Sequence, residues 1–214
     1  MCPNVKTASL RIRIGAYALG LCLLTPQHVS AFTYPLQGEY VREAYFLGRT
    51  TDGKKFKDFY EQYVHYFPFP ARGPYFSYVE SVEFRTPYEQ VVLRSLQNLS
   101  QYSSMEAEKD YQVKPNLVVV RVLISYKLGY VGTLPPASSF KVHVSQADAG
   151  AIEPKKLTTE SICSLSGGDD CGPIRYAILL SFDAEQFTSG AAKIKIVTPD
   201  GQTIKTEFDL DTLI

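Results

Sequence analysis

Leu117-Val118-Val119-Val120-Arg121-Val122-Leu123-Ile124-Ser125-Tyr126 is the stretch that decides the fold class. Val118, Val120, Val122, Ile124 and Tyr126 share one face of an extended strand, while Leu117, Val119 and Leu123 make the other face partly apolar. A strand apolar on both faces belongs inside a sheet. Downstream, Phe140, Val142 and Val144 alternate with Lys141, His143 and Ser145, and Tyr176, Ile178, Leu180 and Phe182 alternate with Arg175, Ala177, Leu179 and Ser181. Both read as half-buried strands. Upstream, Phe76, Tyr78, Val82 and Phe84 alternate in the same way, with a break at Glu80.

At the C-terminal end the pairing itself can be derived. If Pro199-Asp200-Gly201 forms a turn with Gly201 left-handed, Thr198 pairs with Gln202, Ile196 faces Ile204 and Ala192 lies opposite Phe208 on one buried face. A two-residue loop would place Lys195 against Ile204 and mix the faces. The chosen register sets Lys193 against Glu207, which is favourable, and Lys195 against Lys205, which costs a few tenths of a kcal/mol, roughly, unless an acid lies nearby.

Ahead of the strands the period is helical. Leu36, Tyr40, Ala44 and Leu47 predict a first helix ending at Gly48, and Phe56, Phe59, Tyr60, Tyr63 and Phe67 predict a second over 54–67, stopped by Pro68 and Pro70. Thr86-Pro87-Tyr88-Glu89 is a start signal, with Thr86 as cap, Pro87 in the first turn and Glu89 reaching back to complete a capping box. Tyr88, Val91, Val92, Leu96 and Leu99 then form the apolar stripe, with Glu89, Arg94, Gln97 and Gln101 facing water. A short helix after Ser103, boxed by Glu106, ends before Pro115. The expectation is an α+β fold: an N-terminal helical hairpin and Pro-rich connection over 32–73, packed on an antiparallel β-sandwich over 74–214, Ig-like in the broad sense, with a helical insertion at about 87–113.

Residues 1–31 have the order of a secretory signal peptide: Lys6, Arg11 and Arg13, then the apolar run Ile14 to Leu24, then Val29-Ser30-Ala31 with cleavage expected after Ala31. The run is too short for the roughly 20 residues of a membrane-spanning helix, so no transmembrane segment is expected in the mature chain. Leu21 ahead of Cys22, and the apolar residues beyond it, argue against a lipid anchor. The expected location is periplasmic or extracellular. The chain has 22 basic and 22 acidic residues, and loss of the three basic residues of the leader leaves an acidic balance. Nucleic acid is therefore not an expected partner.

Export leaves Cys163 and Cys171 as the mature cysteines, separated by a spacer containing Gly167-Gly168 that lets the chain turn back. In an oxidising compartment they read as a disulfide worth about 2.5 kcal/mol in the chain-entropy picture. A redox role would favour a tighter C-x-x-C spacing.

The segments Val41-Arg42-Glu43-Ala44-Tyr45-Phe46-Leu47-Gly48, Thr86-Pro87-Tyr88-Glu89-Gln90-Val91-Val92, Thr198-Pro199-Asp200-Gly201 and Glu207-Phe208-Asp209-Leu210 resemble those of an uncharacterised group of exported bacterial envelope proteins. The resemblance spans most of the mature chain. It implies a bacterial envelope location and carries over no functional residue, since the group has no assigned activity.

Candidate chemistry is sparse. Glu61 and His65 lie four apart on the expected second helix, the spacing of two metal ligands on one face, yet no second pair completes a set. His143 falls on the polar face of its strand. Glu39 and Glu43 share a helix face as exposed charge, and Asp169 and Asp170 lack the spacing of calcium loops. No serine sits in a nucleophile elbow. No cofactor and no metal are expected. Aromatic residues crowd the segment from Phe56 to Tyr88, and Tyr66, Phe69 and Tyr75 flank a stiff Pro-rich connection suited to contact with an envelope protein or a glycan. The sequence thus points to a non-catalytic binding or accessory module; a small periplasmic enzyme with a non-standard site, or a structural subunit of an envelope complex, are the alternatives.

Overall fold

The computed structural model describes residues 32–68, 77–98, 100, 102–113, 116–126, 135–146, 150–163 and 173–214. Over these the chain is α+β, with four helices and two antiparallel sheets, mostly strand. The helices are α1 (Gly38–Gly48), α2 (Gly53–Tyr60), α3 (Pro87–Gln97) and α4 (Ser104–Val113). The strands are β1 (Val64–Tyr66), β2 (Ser77–Arg85), β3 (Leu117–Tyr126), β4 (Lys141–Gln146), β5 (Gly150–Ile152), β6 (Lys156–Cys163), β7 (Pro173–Asp183), β8 (Ala191–Val197) and β9 (Thr203–Asp209). One sheet is ordered β1-β2-β3-β7-β6 and the other β5-β4-β8-β9. No described helix is long and apolar enough to cross a membrane.

The decisive stretch is β3, central in its sheet, with Val118, Val120, Val122 and Ile124 fully buried. Phe84 of β2 and Phe208 of β9 meet at 5.7 Å between ring centroids, and Phe187 stands edge-on to Phe84 at 5.3 Å and to Phe182 of β7 at 5.7 Å. One apolar core thus joins the two sheets and the helices. The break at Glu80 is a bulge: the β2–β3 register shifts between Val79 and Ser81. That slip turns Val79 inward and frees Glu80 to accept from Arg175 Nε at 3.0 Å.

The C-terminal hairpin has the derived register, with Ile196 opposite Ile204, Ala192 opposite Phe208 and Lys195 opposite Lys205. Thr198 donates its N–H to Gln202 at 3.0 Å, and Gly201 takes φ +84°. Both α3 and α4 fall between β2 and β3, as expected of the insertion. Ser103 and Glu106 close a full capping box: the Ser103 N–H donates to Glu106 Oε2 at 2.7 Å, and the Glu106 N–H to Ser103 Oγ at 3.2 Å.

Two expectations are corrected. The second helix ends at Tyr60, and Val64–Tyr66 is a strand paired with β2, His65 opposite Val82. Pairing with β2 outweighs the local helical period there, because it satisfies backbone groups while Tyr63 and Val64 become buried. Helix α3 is also rotated from its expected stripe: Leu96 is exposed, whereas Glu89 and Ser95 are fully buried. The cause is close contact with α1. A Cβ on Gly48 would lie 2.3 Å from the Val92 carbonyl oxygen and 2.9 Å from Ser95 Cβ, so only glycine above a small residue permits this approach. Leu99 and Gln101 lie outside the described residues.

Candidate functional site

Two groups of ionisable side chains stand out, one sealed and one open. The sealed group forms where β2 turns into α3. Thr86 Oγ1 accepts the Glu89 N–H at 3.2 Å, as a cap should, but Glu89 does not reach back. Its side chain turns inward, and neither carboxylate oxygen meets a donor among the described residues. The neighbouring Glu83 is amply supplied: it accepts from Tyr60 Oη at 2.7 Å and Arg85 Nη2 at 2.6 Å, and lies 3.5 Å from Arg121 Nη1.

A carboxylate without donors in a dry interior is costly, so Glu89 keeps its proton. Burial, then the Glu83 charge, push its carboxyl well above the ordinary carboxylate range, against the opposing pull of Arg85 and Arg121. The side chain of Glu83 beside it adds to that rise, since two neighbouring acids resist carrying two charges. Burial also raises Tyr63, to about 12. The Tyr63 hydroxyl accepts the Ile214 N–H at 3.0 Å, and Thr86 Oγ1 donates to the main-chain oxygen of Ile214 at 2.7 Å. The arrangement ties α3, β2, β3 and the C-terminal segment together. A surface hollow of about 320 Å³ beside Arg85, Gln90 and Arg94 is lined by neither acid; Arg85 is held by Glu83, and Arg94 by Asp110 at 2.6 Å.

The open group lies on the four-stranded sheet. Alternation sends Val144, Ile194, Ile196 and Phe208 into the core and His143, Ser145, Lys193, Lys195, Lys205 and Glu207 outward. Cross-strand register sorts these into rows: His143 beside Lys195 beside Lys205, then Ser145 beside Lys193 beside Glu207. They line a concavity of about 570 Å³, within the size range of ligand sites.

The residues singled out in the sequence are placed as follows. Glu61 caps α2 and lies 3.5 Å from Lys57, while His65 stacks on Phe208 at 4.4 Å and shares a hydrogen bond with Thr206 Oγ1. They are not a ligand pair on one helix face. Burial lowers the His65 pKa, and the described residues contain no cluster of three or more metal-ligating side chains. Glu39 and Glu43 are exposed on α1. His143 is exposed, as expected, but stands among cations. Tyr66 is 63% exposed. Cys163 ends β6; Ala31, Cys22, Phe69, Tyr75, Asp169, Asp170 and Cys171 lie outside the described residues.

The chain matches no protein-family model, and neither the curated proteins nor the solved structures contain a match.

Sequence reasoning missed Glu83 and Glu89, since nothing local distinguishes Glu89 from an ordinary capping-box acid. The open face was half-legible. The hairpin register alone placed Lys195 against Lys205, and only the pairing of β4 with β8 adds His143 to that row.

Proposed function

We propose that this chain is an exported bacterial envelope protein acting as a non-catalytic binding or accessory module, in keeping with the group its segments resemble. In this reading the two sheets form a sandwich, Ig-like in the broad sense, carrying an N-terminal helical hairpin. A disulfide joins Cys163 to Cys171. The observation that carries the reading is the concavity of about 570 Å³ on the four-stranded sheet, lined by outward charged and hydroxyl side chains. Glu89, the acid whose carboxyl is most strongly raised, is buried on α3 and does not line that hollow. Tyr66, at the exposed end of β1, supports a second contact surface with Phe69 and Tyr75.

The test begins with capture of a specific partner from envelope extract. Ser145→Trp fills the concavity without changing its charge, and is expected to abolish capture while the melting temperature stays within a few degrees. N-terminal sequencing of the exported protein should start at Phe32. Partner capture unaffected by Ser145→Trp, or turnover lost on changing Glu61 or His65, would overturn the reading.

A further inference from the structure

Resting on that reading and naming its ligand class, we propose that the concave face binds an acidic glycan, with Lys193, Lys195, Lys205 and His143 receiving carboxylate groups on neighbouring sugar units. The charge arrangement is the first ground. Lys195 sits directly opposite Lys205 on one side and beside His143 on the other, so that row holds no acid. Like charges directly opposed destabilise a sheet, and a locally unfavourable arrangement is what a site for an anion leaves when empty. Among the described residues none of these side chains lies within ion-pair distance of a carboxylate. Glu207, across from Lys193 in the next row, is the one acid in the lining.

The shape of the face favours a sugar chain over other polyanions. Strand β8 is paired along its length on both sides, and β4 is paired with β8 throughout and with β5 over Val144–Gln146, so at the centre of this face recognition falls to side chains. Neighbouring cations are separated by one strand spacing or one two-residue repeat, about 5 to 7 Å, which suits acidic groups carried on successive rings. Ser145 and Glu207 add an alcohol and an acceptor for sugar hydroxyls. Apart from the His143 imidazole, the lining offers no aromatic ring on which a nucleic-acid base could stack. Nor does it offer an apolar wedge for a bilayer: Ile194 is 1% exposed, and the large exposed apolar residues, among them Phe46, Tyr66 and Leu157, belong to other elements.

The experiment uses calorimetric titration of the mature protein with a short oligogalacturonate, its fully methyl-esterified form as neutral control, and phosphatidylglycerol vesicles as the lipid arm. Saturable binding of the free acid is expected, weakened by added salt, with the ester at least about tenfold weaker. Lys195→Glu sets an acid against Lys205, so it should keep or slightly raise the melting temperature while weakening binding by about tenfold or more. Lys195→Gln with Lys205→Gln is the second variant and should weaken binding in the same direction. Equal binding of acid and ester, unchanged binding by both variants, or binding confined to vesicles would overturn the proposal. If oligogalacturonate fails to bind while partner capture remains sensitive to Ser145→Trp, the ligand class falls and the binding module stands; loss of that sensitivity brings down the module itself.

Discussion

Replacing Glu89 by Gln keeps the size of the side chain and a donor toward Glu83, but removes the ionisation. The native carboxyl is raised far above the ordinary value of 4.5. Below that pH the group is protonated in both the folded and unfolded protein, and its contribution to stability is fully present. As pH rises past 4.5 the unfolded chain releases the proton while the folded chain keeps it, so stability is lost until the folded pKa is passed. One retained proton costs about 1.4 kcal/mol per pH unit across that window. For a domain of this size that corresponds to about 3–6 °C in melting temperature per unit. Urea titrations and thermal melts of both proteins from pH 4 to pH 8 isolate the effect, because all other groups contribute to both curves. Glu89→Gln should match the wild type at pH 4 and become the more stable protein at neutrality. A flat difference curve would mean that Glu89 does not hold a proton; a difference favouring the wild type as pH rises would mean that Arg85 and Arg121 hold it ionised.

Gly48→Ala forces a methyl group into the Val92 carbonyl, so α1 and α3 must separate; a loss of about 2–4 kcal/mol is expected in urea denaturation, far beyond a helix-propensity change. Thr86→Ala removes both the α3 cap and the bond to Ile214, and should cost about 1–2 kcal/mol by the same measurement, whereas a loss below a few tenths would show that water replaces both bonds. Mass spectrometry of the exported protein under non-reducing conditions should find Cys163 and Cys171 joined, two hydrogens lighter than the reduced form; two alkylatable thiols would contradict the pairing.

Sequence alone went furthest where structure is local or where one face must be buried. Thr86 and Pro87 located the start of α3, Ser103 and Glu106 located α4, and the apolar faces of β8 and β9 fixed their register once Gly201 was given the left-handed turn position. It failed where distant chain decides. Tyr63 to Phe67 continues a helical pattern, yet Val64 and His65 find better partners in Glu83 and Val82. The face that Glu89 presents depends on how closely Gly48 lets α1 approach, and Glu83, whose charge adds to burial in keeping it protonated, comes from β2. A helical period cannot register either effect. The basic row likewise needs three strands from separate stretches of chain.

The central position of β3 has a kinetic side. Its first partner, β2, precedes it, but the other edge must wait for β7, which arrives only after β4, β5 and β6, so Leu117 finds Asp183 late. Such non-local pairing slows folding and leaves a Val-rich edge open to other chains in the meantime. Arg121 is the only charge in that ten-residue strand. In the finished molecule it lies beside Glu83; before β7 arrives, a charge in mid-strand opposes stacking of identical nascent strands, which makes Arg121 a guard against aggregation as well as a native partner.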